Sequence, residues 1–236
     1  MIIPCFAFES LEEYKQNSDS VDLGRPSQCE ACGAEDSFWG HGFYRRKVFQ
    51  DGTETLVKVP RFLCHLCGKT VSLLFSFLVA FRKHLATTVA EGIEKYSVSE
   101  ATYRGVSTAL SSLDAEDHPP NPSHSTVFRW VKDIAAQAAS LCFHIQKELI
   151  LRGNLHASNI EPGYCPNSWK AKTDQKKANL NTLAECIQLG SLLVNDNGRT
   201  IEKLHTAFLK NVETIQMILC KHLVKLSAPH NLRHLI

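Results

Sequence analysis

The chain has 236 residues, 44% hydrophobic and 21% charged, a balance that allows a packed core and excludes global disorder. Its net charge of +2 neither demands nor excludes a polyanionic partner, and the length leaves room for one large domain or two small ones. Residues 1–28 sum to −3, 29–84 to +3, 85–150 to −3 and 151–236 to +5, so positive charge gathers in two stretches without forming a strongly basic footprint.

Residues 1–28 read as an N-terminal extension, with a weak helical signal at Leu11-Glu-Glu-Tyr14 and a polar, turn-rich run to Pro26. The opening segment lacks a basic n-region, and the best apolar run, Thr70 to Phe81, is shorter than the roughly 18 residues a membrane crossing needs. A cytoplasmic, reducing compartment with no membrane contact is therefore expected. There, paired cysteines point to metal before disulfide.

A cysteine module over 29–83 follows. Cys29-Glu-Ala-Cys32-Gly33 opens it and Cys64-His-Leu-Cys67-Gly68 closes it. Between them, Phe43 to Phe49 and Glu54 to Leu63 are β-prone runs flanking Asp51-Gly52, a hairpin cue because glycine accepts the positive φ of a tight turn. Pro60 restricts its strand to an edge or a bulge, and Thr70 to Leu74 makes a third strand.

From His84 the hydrophobic period changes from two to about 3.6. His84 to Tyr96 reads as a helix through Leu85, Val89 and Ile93. Ser97-Val-Ser-Glu100 offers a capping box for a second helix carrying Val98, Ala101, Val106, Ala109 and Leu113. The proline-rich run Asp114 to Pro122 is loop. Ser123 or Ser125 caps a third helix with an apolar stripe of Val127, Val131, Ile134, Ala138, Leu141 and Ile145, long enough to reach Leu151. Thus 84–151 is a helix-turn-helix-like helical domain, 152–179 a linker, and 180–236 a pair of C-terminal helices near Leu180–Val194 and Thr200–Leu226.

Zinc takes four soft ligands in a tetrahedron, and each Cys-x-x-Cys-Gly turn supplies two from one tight loop. The 31 residues between Cys32 and Cys64 exceed the usual spacing, but a hairpin absorbs the excess at small entropic cost. Cys29, Cys32, Cys64 and Cys67 are thus predicted to bind one structural Zn2+ in a closed site. His41 and His65 compete as ligands on residue type alone, yet a third ligand inside the second knuckle would be strained, so surface roles fit them better. Cys5, Cys142, Cys165, Cys186 and Cys220 are scattered and read as buried small hydrophobes or idle thiols.

Together, Cys29-x-x-Cys32-Gly33, His41-Gly-Phe-Tyr-Arg-Arg46 and Val59-Pro-Arg-Phe-Leu-Cys64-x-x-Cys67-Gly-Lys-Thr-Val-Ser-Leu-Leu74 resemble the N-terminal zinc ribbon of bacterial insertion-sequence transposases. The likeness is greatest to a related bacterial family of unknown function that keeps the ribbon and a following helix-turn-helix region. It continues in Tyr96 to Gly105 and Ser123 to Val131, covering about residues 29–135. It departs at Leu74-Phe75, where relatives read Leu-Pro, and at Ala80-Phe81, where they carry a proline-aromatic pair.

The resemblance implies a small α+β protein: a zinc ribbon of a β-hairpin plus third strand, then a mostly helical helix-turn-helix-like region and C-terminal helices. It also implies duplex DNA as partner. On the third helix, His124, Ser125, Arg129 and Lys132 lie opposite the apolar stripe, where a recognition helix would meet base edges. A plain solvated face is the alternative. Arg45, Arg46, Lys58 and Arg61 on or beside the hairpin are candidates for phosphate contact, although strand charges also protect sheet edges.

No catalysis is expected. A transposase needs a carboxylate triad holding two metal ions, and after the third helix only Glu161, Asp174, Glu185, Asp196, Glu202 and Glu213 remain, on linker or amphipathic helix. The expected function is a zinc-dependent DNA-recognition module, either a stand-alone regulator or a remnant or accessory of a mobile element. It would act as a homodimer through the C-terminal helices or with a transposase subunit in trans. The alternative is a non-enzymatic zinc-ribbon protein-interaction module.

Overall fold

The structure is a computed structural model and describes residues 1–5, 7, 8, 10–50, 53–111, 122–151 and 163–194. Its contacts divide it into two units: the first contains Met1–Phe49 and Glu54–Leu85, and the second continues from Ala86. It is a small α+β protein with a mixed four-stranded sheet and six helices among the described residues.

In the first unit, β1 (Ile2–Cys5), β2 (Phe38–Gln50), β3 (Thr53–Cys64) and β4 (Thr70–Phe75) form a sheet in the order β1-β4-β3-β2. β3 and β4 are antiparallel, with Arg61 opposite Ser72 and Leu63 opposite Thr70. β1 lies parallel to β4 on the other side, from Ile2 opposite Ser72 to Cys5 opposite Phe75. This strand comes from the segment read as an extension, and four short residues gave no signal of a partner about 70 positions away. The Met1 amino group donates to the Thr70 carbonyl at 2.9 Å, which fixes its start.

β3 is an inner strand, so Pro60 is not at a sheet edge. The register with β4 instead begins one residue later, at Arg61. A ring without an N–H can sit where a ladder stops. The Asp51-Gly52 turn lies outside the described residues.

Helix α1 (Leu11–Asn17) begins where the Ser10 Oγ accepts the Glu13 amide at 3.1 Å, with Glu12 and Glu13 against the positive end of the helix. Its inward residues Leu11 and Tyr14 join Phe8, Val57, Val59, Leu74, Phe75 and Phe77 in the main core of this unit. Phe8 meets Tyr14 and Phe75 edge-on at 5.4 and 5.3 Å, the preferred approach of two quadrupoles. The Tyr14 hydroxyl accepts the Lys58 amide at 2.9 Å, so the buried phenol is satisfied and α1 is tied to β3.

The second unit is helical: α2 (Ala86–Val98), α3 (Tyr103–Ala109), α4 (His124–Ala135), α5 (Ala138–Leu151) and α6 (Asp174–Val194). α2, α3 and α4 pack together, α5 lies along α6, and α6 also reaches α2 and α4. Gly92 lets α2 approach closely, because a Cβ there would fall 3.2 Å from the Trp130 ring.

Three expectations are corrected. The capping box at Ser97–Glu100 does not start a helix: Ser97 and Val98 finish α2, Val98 is exposed, and α3 begins after Thr102, whose Oγ1 accepts the Gly105 amide at 3.1 Å. The Ser99 hydroxyl instead donates to the Lys95 carbonyl, a bond that ends α2. The third helix is capped by Ser123, but it does not run unbroken to Leu151. It stops at Ala135, where the Gln137 amide turns back to Ile134 at 2.9 Å, and α5 resumes from Ala138.

The linker expected over 152–179 is ordered in its described part. Cys165, Asn167 and Ser168 are buried around a 3-10 turn, and α6 starts at Asp174. Leu113 and the helix expected near Thr200–Leu226 lie outside the described residues. None of the described helices is long and apolar enough to cross a membrane.

Candidate metal centre

The two Cys-x-x-Cys-Gly segments fold into the same local shape. In the first, the Gly33 amide donates to the Cys29 carbonyl at 2.7 Å and the Cys29 amide to the Ala34 carbonyl at 2.8 Å. In the second, Gly68 donates to Cys64 at 2.9 Å and Cys64 to Lys69 at 2.9 Å. Both glycines have positive φ, +74° and +68°, which a side chain would strain. The start of β2, the end of β3 and the start of β4 bring these turns face to face.

All four sulfur atoms lie within 4.8 Å of one another. Cys29 Sγ is 3.7 Å from Cys67 Sγ, and Cys32 Sγ is 3.8 Å from Cys64 Sγ. Thiolates around a tetrahedral ion with metal–sulfur bonds of about 2.3 Å stand about 3.8 Å apart. The spacing fits one metal ion and is nearly twice a disulfide bond of about 2.05 Å. Cys29 and Cys64 are buried while Cys32 is exposed, so the cluster lies at the edge of a small core with Phe38 and Val71.

Within the cluster, hydrogen bonds favour the thiolate at Cys64. The Cys64 thiol is lowered to about 6, first by Ser37 and then by the Cys67 amide. Ser37 is almost wholly buried, with its Oγ 3.2 Å from Cys64 Sγ. At Cys32 the Ala34 amide also favours thiolate, but burial and the neighbouring sulfurs outweigh it and push the thiol up to about 12. Four negative sulfurs could share this space only with a cation among them, which a bound metal ion would supply.

His65 is not part of the sulfur cluster. Its Nδ1 lies 2.7 Å from the Ser37 carbonyl and therefore donates, while its backbone amide donates to the same oxygen at 2.9 Å. The imidazole stacks on Trp39, centroids 5.1 Å apart and planes 14° apart. His41 is exposed on β2. The residue that sequence reasoning missed is Ser37, which lies outside both knuckles and carries no spacing signal.

The residues proposed for DNA contact divide by orientation. Arg45 and Lys58 are exposed, with the Lys58 ammonium over the Phe43 ring at 5.7 Å, and Arg61 is half-buried. Arg46 faces inward, against expectation. Its guanidinium donates to the Val79 and Arg82 carbonyls, and burial lowers its basicity. It ties down the turn in which Phe81 adopts a positive φ of 61°. On α4, His124, Ser125, Arg129 and Lys132 are all exposed, whereas Val127, Trp130, Val131 and Ile134 are buried.

Of the carboxylates considered for catalysis, Glu185 on α6 accepts the Cys142 thiol of α5 at 3.5 Å, and Asp174 stands in the first turn of α6. Glu161, Asp196, Glu202 and Glu213 lie outside the described residues, as does Cys220. Cys142, Cys165 and Cys186 are buried and Cys5 is half-buried. No protein-family model, curated protein or solved structure matches the chain, and the chemistry of the site stands on its own residues.

Proposed function

We propose that the four cysteines hold one structural zinc ion and that the chain is a zinc-dependent DNA-binding protein that reads duplex DNA through α4. All-sulfur ligation selects zinc over hard cations, and four thiolates leave no open position, so the ion organises the ribbon and performs no reaction. Cys29, Cys32, Cys64 and Cys67 are its ligands.

The observation that carries the DNA reading is the two-sidedness of α4. Its buried side packs on α2 and α3, and its outer side presents His124, Ser125, Arg129 and Lys132 in succession from its N-terminus. That order of polar groups suits base edges in a major groove, with arginine pairing to guanine through two hydrogen bonds. The resemblance of the ribbon to those of insertion-sequence transposases supports the same reading. So does the placement of Arg45, Lys58 and Arg61 on the ribbon, where they can meet phosphates. The chain acts without a catalytic core of its own, as a regulator or accessory of a mobile element, alone, as a homodimer or beside a transposase subunit in the cytoplasm.

The second reading, a zinc-ribbon protein-interaction module, is favoured by Trp39, Phe43, Leu56 and Leu66, all more than half exposed on the first unit. Titration of the zinc-loaded full chain into random duplex DNA at several salt concentrations separates the two. A steep loss of affinity with salt supports DNA binding. Salt-independent absence of binding overturns it in favour of the protein-interaction module.

A further inference from the structure

We propose that the outer face of the β2–β3 ribbon is a stacking platform for unpaired bases of single-stranded DNA, anchored on the Trp39–His65 pair. The inference rests on the reading of the chain as a DNA-binding protein and adds a second mode of contact, separate from α4.

The anchor is built from behind. The Ser37 carbonyl holds His65 through both ring and backbone, and the same serine hydroxyl meets the Cys64 sulfur. The imidazole therefore has a fixed position, and Trp39 lies flat on it. The imidazole stacks on one face of the indole, and Trp39 remains 59% exposed. A large ring held in place and half open to solvent is the arrangement that a base can extend by one more layer.

The rest of the face matches a strand of phosphates and bases better than a protein. Phe43 is 51% exposed and shares its surroundings with the Lys58 ammonium. β2 and β3 carry five cations, Arg45, Arg46, Lys47, Lys58 and Arg61, against the single acid Glu54. Glu54 is engaged by Lys47 at 2.8 Å and Arg46 points inward. The exposed Arg45 and Lys58, the latter over the Phe43 ring, remain for phosphates. Lysine is depleted in protein–protein interfaces, whereas alternating rings and cations suit single-stranded nucleic acid. A duplex cannot use the rings, because its base faces are already covered by their neighbours.

The test uses the zinc-loaded full chain in a Trp169→Phe background. Trp130 is buried, so Trp39 then reports as the exposed tryptophan of the three. Titration with dT15 should quench its fluorescence. By filter binding, Trp39→Ala should weaken dT15 roughly tenfold at unchanged zinc content, and Trp39→Phe should restore most of the loss. Affinity for a 15-bp duplex should be unchanged in Trp39→Ala and reduced in Arg129→Ala. No quenching by dT15, or equal dT15 affinity of wild type and Trp39→Ala, overturns the platform while leaving duplex recognition by α4 standing. Quenching by dT15 without any duplex binding supports the platform and removes the α4 reading instead. A tenfold preference for U15 over dT15 overturns the choice of DNA, and a dimer that Trp39→Ala dissociates assigns the face to a second copy of the chain.

Discussion

Asn167 offers the most searching test of the helical unit. Its side chain is 1% exposed, and its Nδ2 lies 2.9 Å from the Tyr96 carbonyl, 3.0 Å from Ser99 and 3.1 Å from Ala101. The Lys170 ammonium donates to its Oδ1 at 2.8 Å, which fixes the amide with its donors toward the three carbonyls. One side chain, about 70 positions away in sequence, thus caps the end of α2 and the turn into α3. An NH2 group has two hydrogens for three acceptors, so the worth is that of about two buried hydrogen bonds. Truncation to alanine removes them and leaves carbonyls unsatisfied, at about 1–3 kcal/mol each where fully buried, or about 2–6 kcal/mol for two. That is a large share of a total stability of about 5–15 kcal/mol.

Asn167→Asp is the sharper variant. It keeps the shape but replaces both donors with a carboxylate oxygen facing three carbonyl oxygens, so at neutral pH it should destabilise more than Asn167→Ala despite losing no volume. Lowering the pH protonates the carboxyl, restores one donor and should narrow the difference. Hydrogen exchange on the full chain is the assay, because two units need not unfold together. Amides at the end of α2 and in α3 should lose protection in both variants, and ribbon amides should not. An aspartate variant as stable as the alanine variant, or equal loss of protection in the ribbon, would refute the cap.

Purified protein should carry about one equivalent of zinc, and Cys29→Ser or Cys67→Ser should remove it and unfold the ribbon, at a cost of several kcal/mol; unchanged zinc in metal analysis of both variants contradicts the site. Ser37→Ala removes the hydroxyl beside Cys64 and should lower zinc affinity by about 10–100-fold in a chelator competition, the range typical of such supporting bonds. Arg129→Ala should cost about 1–3 kcal/mol on a preferred duplex and relax the preference at one base, whereas Arg45→Ala should weaken all sequences alike and reduce the salt slope by about one unit. Arg46→Ala should leave that slope unchanged and act through stability, because its guanidinium is spent on the Val79 and Arg82 carbonyls. With magnesium or manganese no strand cleavage is expected, and a nick abolished by Glu185→Gln would reverse that expectation.

The features legible in the sequence are those whose physics is local. A Cys-x-x-Cys-Gly turn places two sulfurs within one loop, so both knuckles could be read from four residues and a glycine. The Ser123 cap and the buried stripe of α4 follow from neighbours three and four positions apart. Long-range polar contacts left no such trace. Arg45 and Arg46 look alike in sequence, and the alternation of a strand decides which faces the carbonyls of a distant turn. Asn167 sits in a polar run with no period to betray it. The break between α4 and α5 carries neither proline nor glycine, so an apolar stripe that continues across it reads as one helix. For the parallel strand β1, pairing depends on where β4 ends up, which residues 1–5 alone do not encode.

The cysteine cluster and the aromatic core lie in separate buried groups of the first unit. Ring contacts among Phe8, Tyr14, Phe75 and Phe77, together with the Tyr14–Lys58 hydrogen bond, hold α1 to the sheet. Around the cysteines the buried cluster shrinks to Cys29, Phe38, Cys64 and Val71, two of which are proposed ligands. Burial of so few side chains, at about 1.5–3 kcal/mol each, cannot set the ends of three strands against their conformational entropy. A thiolate-bound ion can, since such sites contribute about 10–16 kcal/mol of binding energy to folding. Ser37 links the cysteine cluster to the exposed Trp39–His65 stack, meeting the Cys64 sulfur through its hydroxyl and the His65 ring through its carbonyl. With zinc bound as proposed, the exposed Trp39 stack would take its rigidity from the metal centre, and the surface proposed to meet DNA would reach its binding geometry only in the loaded ribbon.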